Sequence, residues 1–398
     1  MNANKNAEVG IATAQGRDIL LDAWRGISVL LVIFYHMVEF RFAPIFRDAG
    51  DGIAHPTLFS ASGVVGWLRH QTVRELVYAG PLGVQIFFVI SGYIITKLLL
   101  REYQRNGRVS LAAFYVRRAF RILPALWLML AVTSILTLIG YIDVDRKSFL
   151  MAVSFTCNTQ PESCGWFTGH TWSVATEEQF YLFWPLLLTL LGFRTVARAS
   201  LLICILFIAA DQFSLLTVSF IHNALSGACV AAGALFATSE RLRSFVSRAA
   251  LPLVIGAALL LFGKPFLQYH IYGLSAVTNA ITPFLIVIVI FSCSRYRGRL
   301  ENLKAVRALS AIGLVSYGLY LWQEMFLAEP SEYLRHSFLA YAPACVLVVL
   351  LSYFLVEVPL MRVGARLSRE LIARGMARST AALTVAAPAA ILTTNDPV

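Results

Sequence analysis

The chain has 398 residues, 58% of them apolar and 14% charged, with a formal net charge of +11. So little polar surface excludes an ordinary water-soluble fold of this size and calls for a bilayer around most of the chain. The basic excess does not mark a nucleic-acid binder, because Lys and Arg fall in short clusters between long apolar runs.

A hydrocarbon core of about 30 Å takes roughly 20 apolar residues as helix. Clear runs lie at 21–40, 81–100, 120–141 and 174–193. Weaker ones follow at 199–220, 223–238, 249–268, 274–294, 308–328 and 337–358, the fifth interrupted by Asp211 and the sixth rich in small residues. This predicts an all-α, polytopic membrane helix bundle of about ten transmembrane helices. Alternating the loops puts 24 of the 33 Lys and Arg on one side, in the N-terminal segment, 97–121, 194–198, 239–248, 295–307 and the tail from 362. The other side holds eight, and Arg25 sits at the start of the first span. The richer side is expected inside, with both termini cytoplasmic. No cleavable signal is expected, because a polar N-terminal segment of 17 residues runs straight into a long span. The expected organisation is a cytoplasmic segment 1–19, a membrane domain 20–360 and a cytoplasmic tail 361–398.

The loops expected outside are 41–80 and 142–172. In the first, apolar and basic residues interleave over 64–77 as in a helix lying on the membrane surface. The second holds Cys157 and Cys164, which pair if that side is oxidising and are otherwise free thiols. Cys204, Cys229, Cys293 and Cys345 lie in or beside apolar spans and are expected to pack there. No Cys/His spacing reads as a metal site, so no metal is expected. The tail over 379–394 is rich in Ala, Thr and Leu but too short to span again.

Ionisable groups at membrane depth are costly and point to function. In the first span His36 follows Arg25 by eleven residues, three turns plus about 20°, so the two share one helix face about 16 Å apart. His36 suits a general base for a hydroxyl, or is a core histidine bonded to a carbonyl. The segment 80–93 brings glycines and Ser91 that suit close helix packing. Before Pro124, Arg117, Arg118 and Arg121 recur at helical spacing, able to clamp phosphates or merely to anchor the inner membrane face. At the start of the fourth span Glu177 and Glu178 point about 100° apart, so that one faces the interior, or both are interfacial.

At these segments the sequence resembles the acyltransferase-3 family, bacterial integral membrane enzymes that move acyl groups onto glycans and other hydroxylated molecules. The resemblance rests on Arg25 and His36, the 83–93 segment, Arg117-Arg118 and Arg121 before Pro124, and Trp172-Ser173 followed by Glu177 to Tyr181. Ser316 to Trp322 and Tyr353 to Pro359 complete it, so it covers 20–360. Two positions depart from the pattern: Gln323 stands where a histidine is expected after Tyr-Leu-Trp, and His222-Asn223 where an arginine is expected.

The resemblance implies a bacterial inner-membrane O-acyltransferase whose donor is cytoplasmic acyl-CoA, in the first instance acetyl-CoA. It implies donor contacts at Arg25, Arg117, Arg118 and Arg121 and catalysis by His36, with Glu177 or Glu178 steadying the imidazolium. Trp172, Ser173 and His170 are candidate acceptor contacts, with Trp67 and Trp166 beside them. The expected acceptor is a glycan, namely an envelope or exported polysaccharide, lipopolysaccharide or oligosaccharide; a secondary metabolite such as a macrolide is the alternative. The competing class is a transporter or lipid-handling protein in which the same residues form a proton or solute path. The expected partners are therefore acyl-CoA, a hydroxylated acceptor and the lipid bilayer, with no nucleic acid.

Overall fold

The computed structural model describes residues 17–50, 79–192, 195–212, 218–264, 267, 274–327 and 338–386, and these contain helices and no strand. The expected surface helix at 64–77, with Trp67, lies outside the described residues, as do the side chains of Asp211, His222 and Asn223.

Four helices carry most of the candidate site residues: α1 (Ile19–Gly50), α2 (Ala79–Asn106), α3 (Leu111–Leu138) and α4 (Thr171–Leu191). Their ends follow local chemistry. Ser110 caps α3 by accepting from the Ala113 amide. Gly192, at φ +77°, ends α4 in a backbone conformation that other residues rarely adopt. Farther along come α5 (Val218–Thr238), α6 (Leu274–Ser292), α7 (Lys304–Leu314), α8 (Ser316–Leu327) and α9 (Val358–Ala386).

Five helical stretches are long and apolar enough to cross a bilayer: Ile19–Met37, Gly80–Asn106, Leu111–Leu138, Leu274–Leu300 and Tyr341–Gly375. Two bent pairs raise the number to seven if each is one span: Glu240–Arg248 with Leu251–Phe262, bent by 100°, and α7 with α8, bent by 73°. The first bend falls where Pro252 opens the second helix of its pair. The remaining expected spans correspond to α4, whose polar run Glu177-Glu178-Gln179 lowers its hydropathy, and to the shorter apolar helices Val196–Ala210 and Ala224–Thr238. Large apolar side chains such as Ile135, Leu138, Phe183, Leu190, Leu259 and Phe354 stand exposed on the outer surface. That surface suits lipid, and in water it would be a broad apolar patch.

Inside, helices meet through small residues. A methyl on Gly92 of α2 would overlap the Val230 carbonyl oxygen of α5, and one on Gly233 would overlap that of Val89. Gly26 and Gly313 do the same for α1 against α7. Such crossings supply dispersion contact where lipid removes the hydrophobic drive between helices. The outer expected loop folds as short helices, and Cys157 and Cys164 are paired in a disulfide.

Candidate active site

One stripe on each of four helices builds the site. Residues three or four apart share a helix face. On α1 this stripe is Arg25, Val29, Val32 and His36; on α2 it is Ser91, Phe87, Val84 and Gly80. On α4 it is Tyr181, Glu177 and Ser173, and on α8 it is Tyr317, Tyr320 and Glu324. Read in that order, each stripe runs from a basic cavity, through a narrow neck, towards a second cavity.

The basic cavity has a volume of about 1100 Å³ and is lined by Arg17, Arg25, Lys97, Arg101, Arg105, Arg118, Arg121 and Arg297 against the carboxylates Asp18, Asp22, Glu177 and Glu357. Some of these charges are already matched: Arg17 contacts Asp22 at 2.5 Å, and Arg297 reaches Asp18 at 2.8 Å and Glu301 at 3.0 Å. Arg25 is 4.0 Å from Asp22 with its guanidinium over the Phe87 ring, and Arg118 lies over the Tyr181 ring at 5.1 Å. Cations thus outnumber carboxylates eight to four in the lining of this cavity, which favours a polyanion. A π-helical segment, Ser352–Glu357, turns Tyr353 and Glu357 into the same cavity.

The neck is a space of about 30 Å³ lined by valines and phenylalanines, among them Val29, Val32, Phe87 and Phe88, and by polar groups including Ser173, Tyr317 and Tyr320. It shares Phe87, Glu177 and Tyr317 with the basic cavity, and Val32, Val84 and Tyr320 with the second. Its size is about one water molecule's share of the liquid, so it separates the two cavities without interrupting the line between them. Buried Glu177 sits at its basic end and accepts hydrogen bonds from the Ser91 and Tyr181 hydroxyls.

The second cavity, about 730 Å³, is lined by His36, Trp166, His170, Trp172, Tyr320 and Glu324 among others. Buried Glu324 lies between the two histidines, with Oε1 3.7 Å from His36 Nε2 and Oε2 2.5 Å from His170 Nδ1. The Trp166 indole donates to the Glu324 carbonyl at 3.0 Å and meets the His36 ring edge-on at 5.6 Å. Tyr320 donates to the His170 carbonyl at 2.9 Å, and its hydroxyl is 2.6 Å from that of Ser173.

The expected site residues therefore divide. Arg25, Arg118 and Arg121 line the basic cavity; His36, His170 and Trp172 line the second; Ser173 and Glu177 border the neck. Arg117 turns elsewhere, bonding Glu102 at 2.9 Å and Ser368 at 2.5 Å, and so ties α3 to α2 and α9. Glu178 lines none of the three spaces, and its buried Oε1 has no hydrogen-bond partner among the described residues. Neither glutamate of the pair lines the cavity that holds His36.

The sequence reading missed two features. Lys97, Arg101 and Arg105 recur every four residues, the signature of a stripe rather than of topology alone. Glu324 is the one charged residue in 308–328, next to the Gln323 that drew attention as a departure. Among the described residues no cluster of three His, Cys, Asp or Glu suits a metal ion.

Residues 18–357 match the family described as an acyltransferase domain. The O-acetyltransferase OatA of Staphylococcus aureus strain NCTC 8325 is 25% identical over 379 residues, covering 83% of this chain and 60% of the relative. The putative O-acetyltransferase SACOL0978 of S. aureus strain COL is 36% identical over 143 residues, covering 33% of this chain and 24% of the relative. This chain thus spans about three-fifths of the length of the OatA relatives. No solved structure matches it.

Proposed function

Because the chain belongs to the acyltransferase-3 family, we propose that it is a membrane O-acyltransferase that carries an acyl group, in the first instance acetyl, from cytoplasmic acyl-CoA to a hydroxyl of an envelope or exported glycan. The observation that carries this reading is the pairing of a basic cavity with a histidine- and tryptophan-lined one along one line of helix faces. Coenzyme A is a phosphate-rich polyanion with a long thin arm. Its phosphates fit among Arg25, Arg118 and Arg121, and the pantetheine arm fits a neck that widens by side-chain movement. The thioester then comes to His36 while the bulky nucleotide stays behind.

In the proposed reaction His36 takes the proton of the acceptor hydroxyl as that oxygen attacks the thioester carbonyl. The new C–O bond forms, the C–S bond breaks, and the leaving thiolate recovers the proton from the imidazolium. Trp166 and Trp172 offer aromatic faces for a sugar ring in the second cavity. The name O-acetyltransferase carried by the relatives supports acetyl as the group moved. The proposal includes about ten spans with both termini in the cytoplasm of a bacterial inner membrane, because the basic cavity then opens where acyl-CoA is made. It also keeps the division at 1–19, 20–360 and 361–398.

Matched strains carrying the intact gene, a deletion and His36→Ala test this by mass spectrometry of envelope glycans. An added acyl group seen only with the intact gene supports the reading. Its persistence at full level with His36→Ala removes His36 as the base.

A further inference from the structure

We infer that Glu324 is a positioning residue for His36, with His170 as the anchor that aims it. This rests on the reading of His36 as the general base, and it adds two residues to the machinery whose roles that reading leaves open.

The argument starts from cost. A buried carboxylate in an apolar helix is expensive, and a well-packed apolar residue in its place is often neutral or stabilising. Glu324 is 4% exposed and lies on the face of α8 that looks into the second cavity. One of its oxygens is held by His170 Nδ1 at 2.5 Å, and His170 is fixed in turn through its backbone carbonyl by Tyr320. That contact explains why the carboxylate stays in place, but the other oxygen is turned towards His36 Nε2 at 3.7 Å. This distance is ion-pair reach, longer than a hydrogen bond, and such catalytic contacts often tighten only when substrate is bound.

Two consequences follow for the base. A carboxylate facing Nε2 fixes how the imidazole ring is turned in the cavity. It also opposes the positive charge that His36 acquires as the proton arrives, in a site where water screens little. Trp166 holds both partners, donating to the Glu324 carbonyl and packing edge-on against the His36 ring. The disulfide between Cys157 and Cys164 closes the loop directly before Trp166 and restrains that brace.

The test measures kcat and both KM values for purified protein in lipid nanodiscs. The donor is acetyl-CoA, and the acceptor is solubilised envelope glycan from a strain lacking the gene. Glu324→Gln keeps the shape and removes the charge, so kcat falls roughly 10- to 1,000-fold while both KM values stay within about twofold of wild type. Glu324→Asp recovers part of the rate, and His170→Asn, which retains an N–H donor, is less damaged than His170→Phe. Full kcat in Glu324→Gln overturns the inference, as does a loss of folded protein that Glu324→Asp restores without any deficit in kcat per folded molecule. If Glu324→Gln does not insert, the Asp variant and the His170 pair decide on the same readouts: equal rates for His170→Asn and His170→Phe overturn it. His36→Ala separates the two readings. An active His36→Ala protein ends the general-base reading itself, whereas an inactive one beside a fully active Glu324→Gln ends only the role given to Glu324.

Discussion

The two cavities differ in how they handle charge, and the difference shows how one bundle can serve two kinds of molecule. The basic cavity is large and crowded with guanidinium groups, several already matched by Asp18, Asp22 and Glu301. It acts through a summed field, so no single arginine defines it. The second cavity has fewer charged groups, Lys264 among them, and on one side it fixes one carboxylate and two imidazoles at short range, braced by an indole. A field tolerates the loss of one member, whereas a constellation of three does not.

That contrast can be broken or sharpened by experiment, and the largest effect belongs to the constellation. His36→Ala is expected to lower kcat by on the order of 10³-fold, with the KM for acetyl-CoA little changed; a large rise in that KM with kcat intact contradicts the division of labour. Arg118→Ala is expected to raise the KM for acetyl-CoA roughly 10-fold, the loss of about one charge-assisted contact, and to leave kcat at saturating donor nearly unchanged. Arg117→Ala sharpens the same point, because Arg117 ties Glu102 to Ser368 rather than lining the cavity. Its thermal midpoint is expected to drop by a few degrees, as ~1 kcal/mol does in a domain of this size, with donor KM unaltered. The smallest effect comes from salt. Raising ionic strength from about 0.05 to 0.3 M is expected to raise the KM for acetyl-CoA severalfold and to leave that of a neutral glycan acceptor unchanged, since screening acts on the field.

Much of this arrangement was legible in the sequence, and what escaped did so for physical reasons. The eleven-residue interval between Arg25 and His36 correctly placed both on one face of α1, because helical pitch alone fixes that relation. The glycines of the 80–93 segment and of the sixth apolar run pointed to close packing, and Gly92 and Gly233 meet opposite backbones. Periodicity says which residues share a face but not which partner that face meets. Glu177 or Glu178 therefore read as the partner of His36, whereas Glu177 bonds Ser91 and Tyr181 at the basic end, Glu178 lines none of the three spaces, and the carboxylate beside His36 comes from α8, almost 300 residues later in the chain. Arg117 and Arg118 are neighbours about 100° apart on α3, enough to send one to Glu102 and the other over Tyr181. The number of spans was the least legible feature, since a sharp bend near Val315 divides a stretch that reads as continuous, and the helix over Glu240–Arg248 leads through a second bend into a run that reads as a separate span.

The most direct test of the central claim is a sidedness assay in sealed proteoliposomes, with acetyl-labelled acetyl-CoA inside and the glycan acceptor from a deletion strain outside. The account predicts labelled glycan outside in step with free coenzyme A inside, and neither product with His36→Ala. Transfer that occurs only when donor and acceptor share one compartment would contradict a route through the neck between the two cavities.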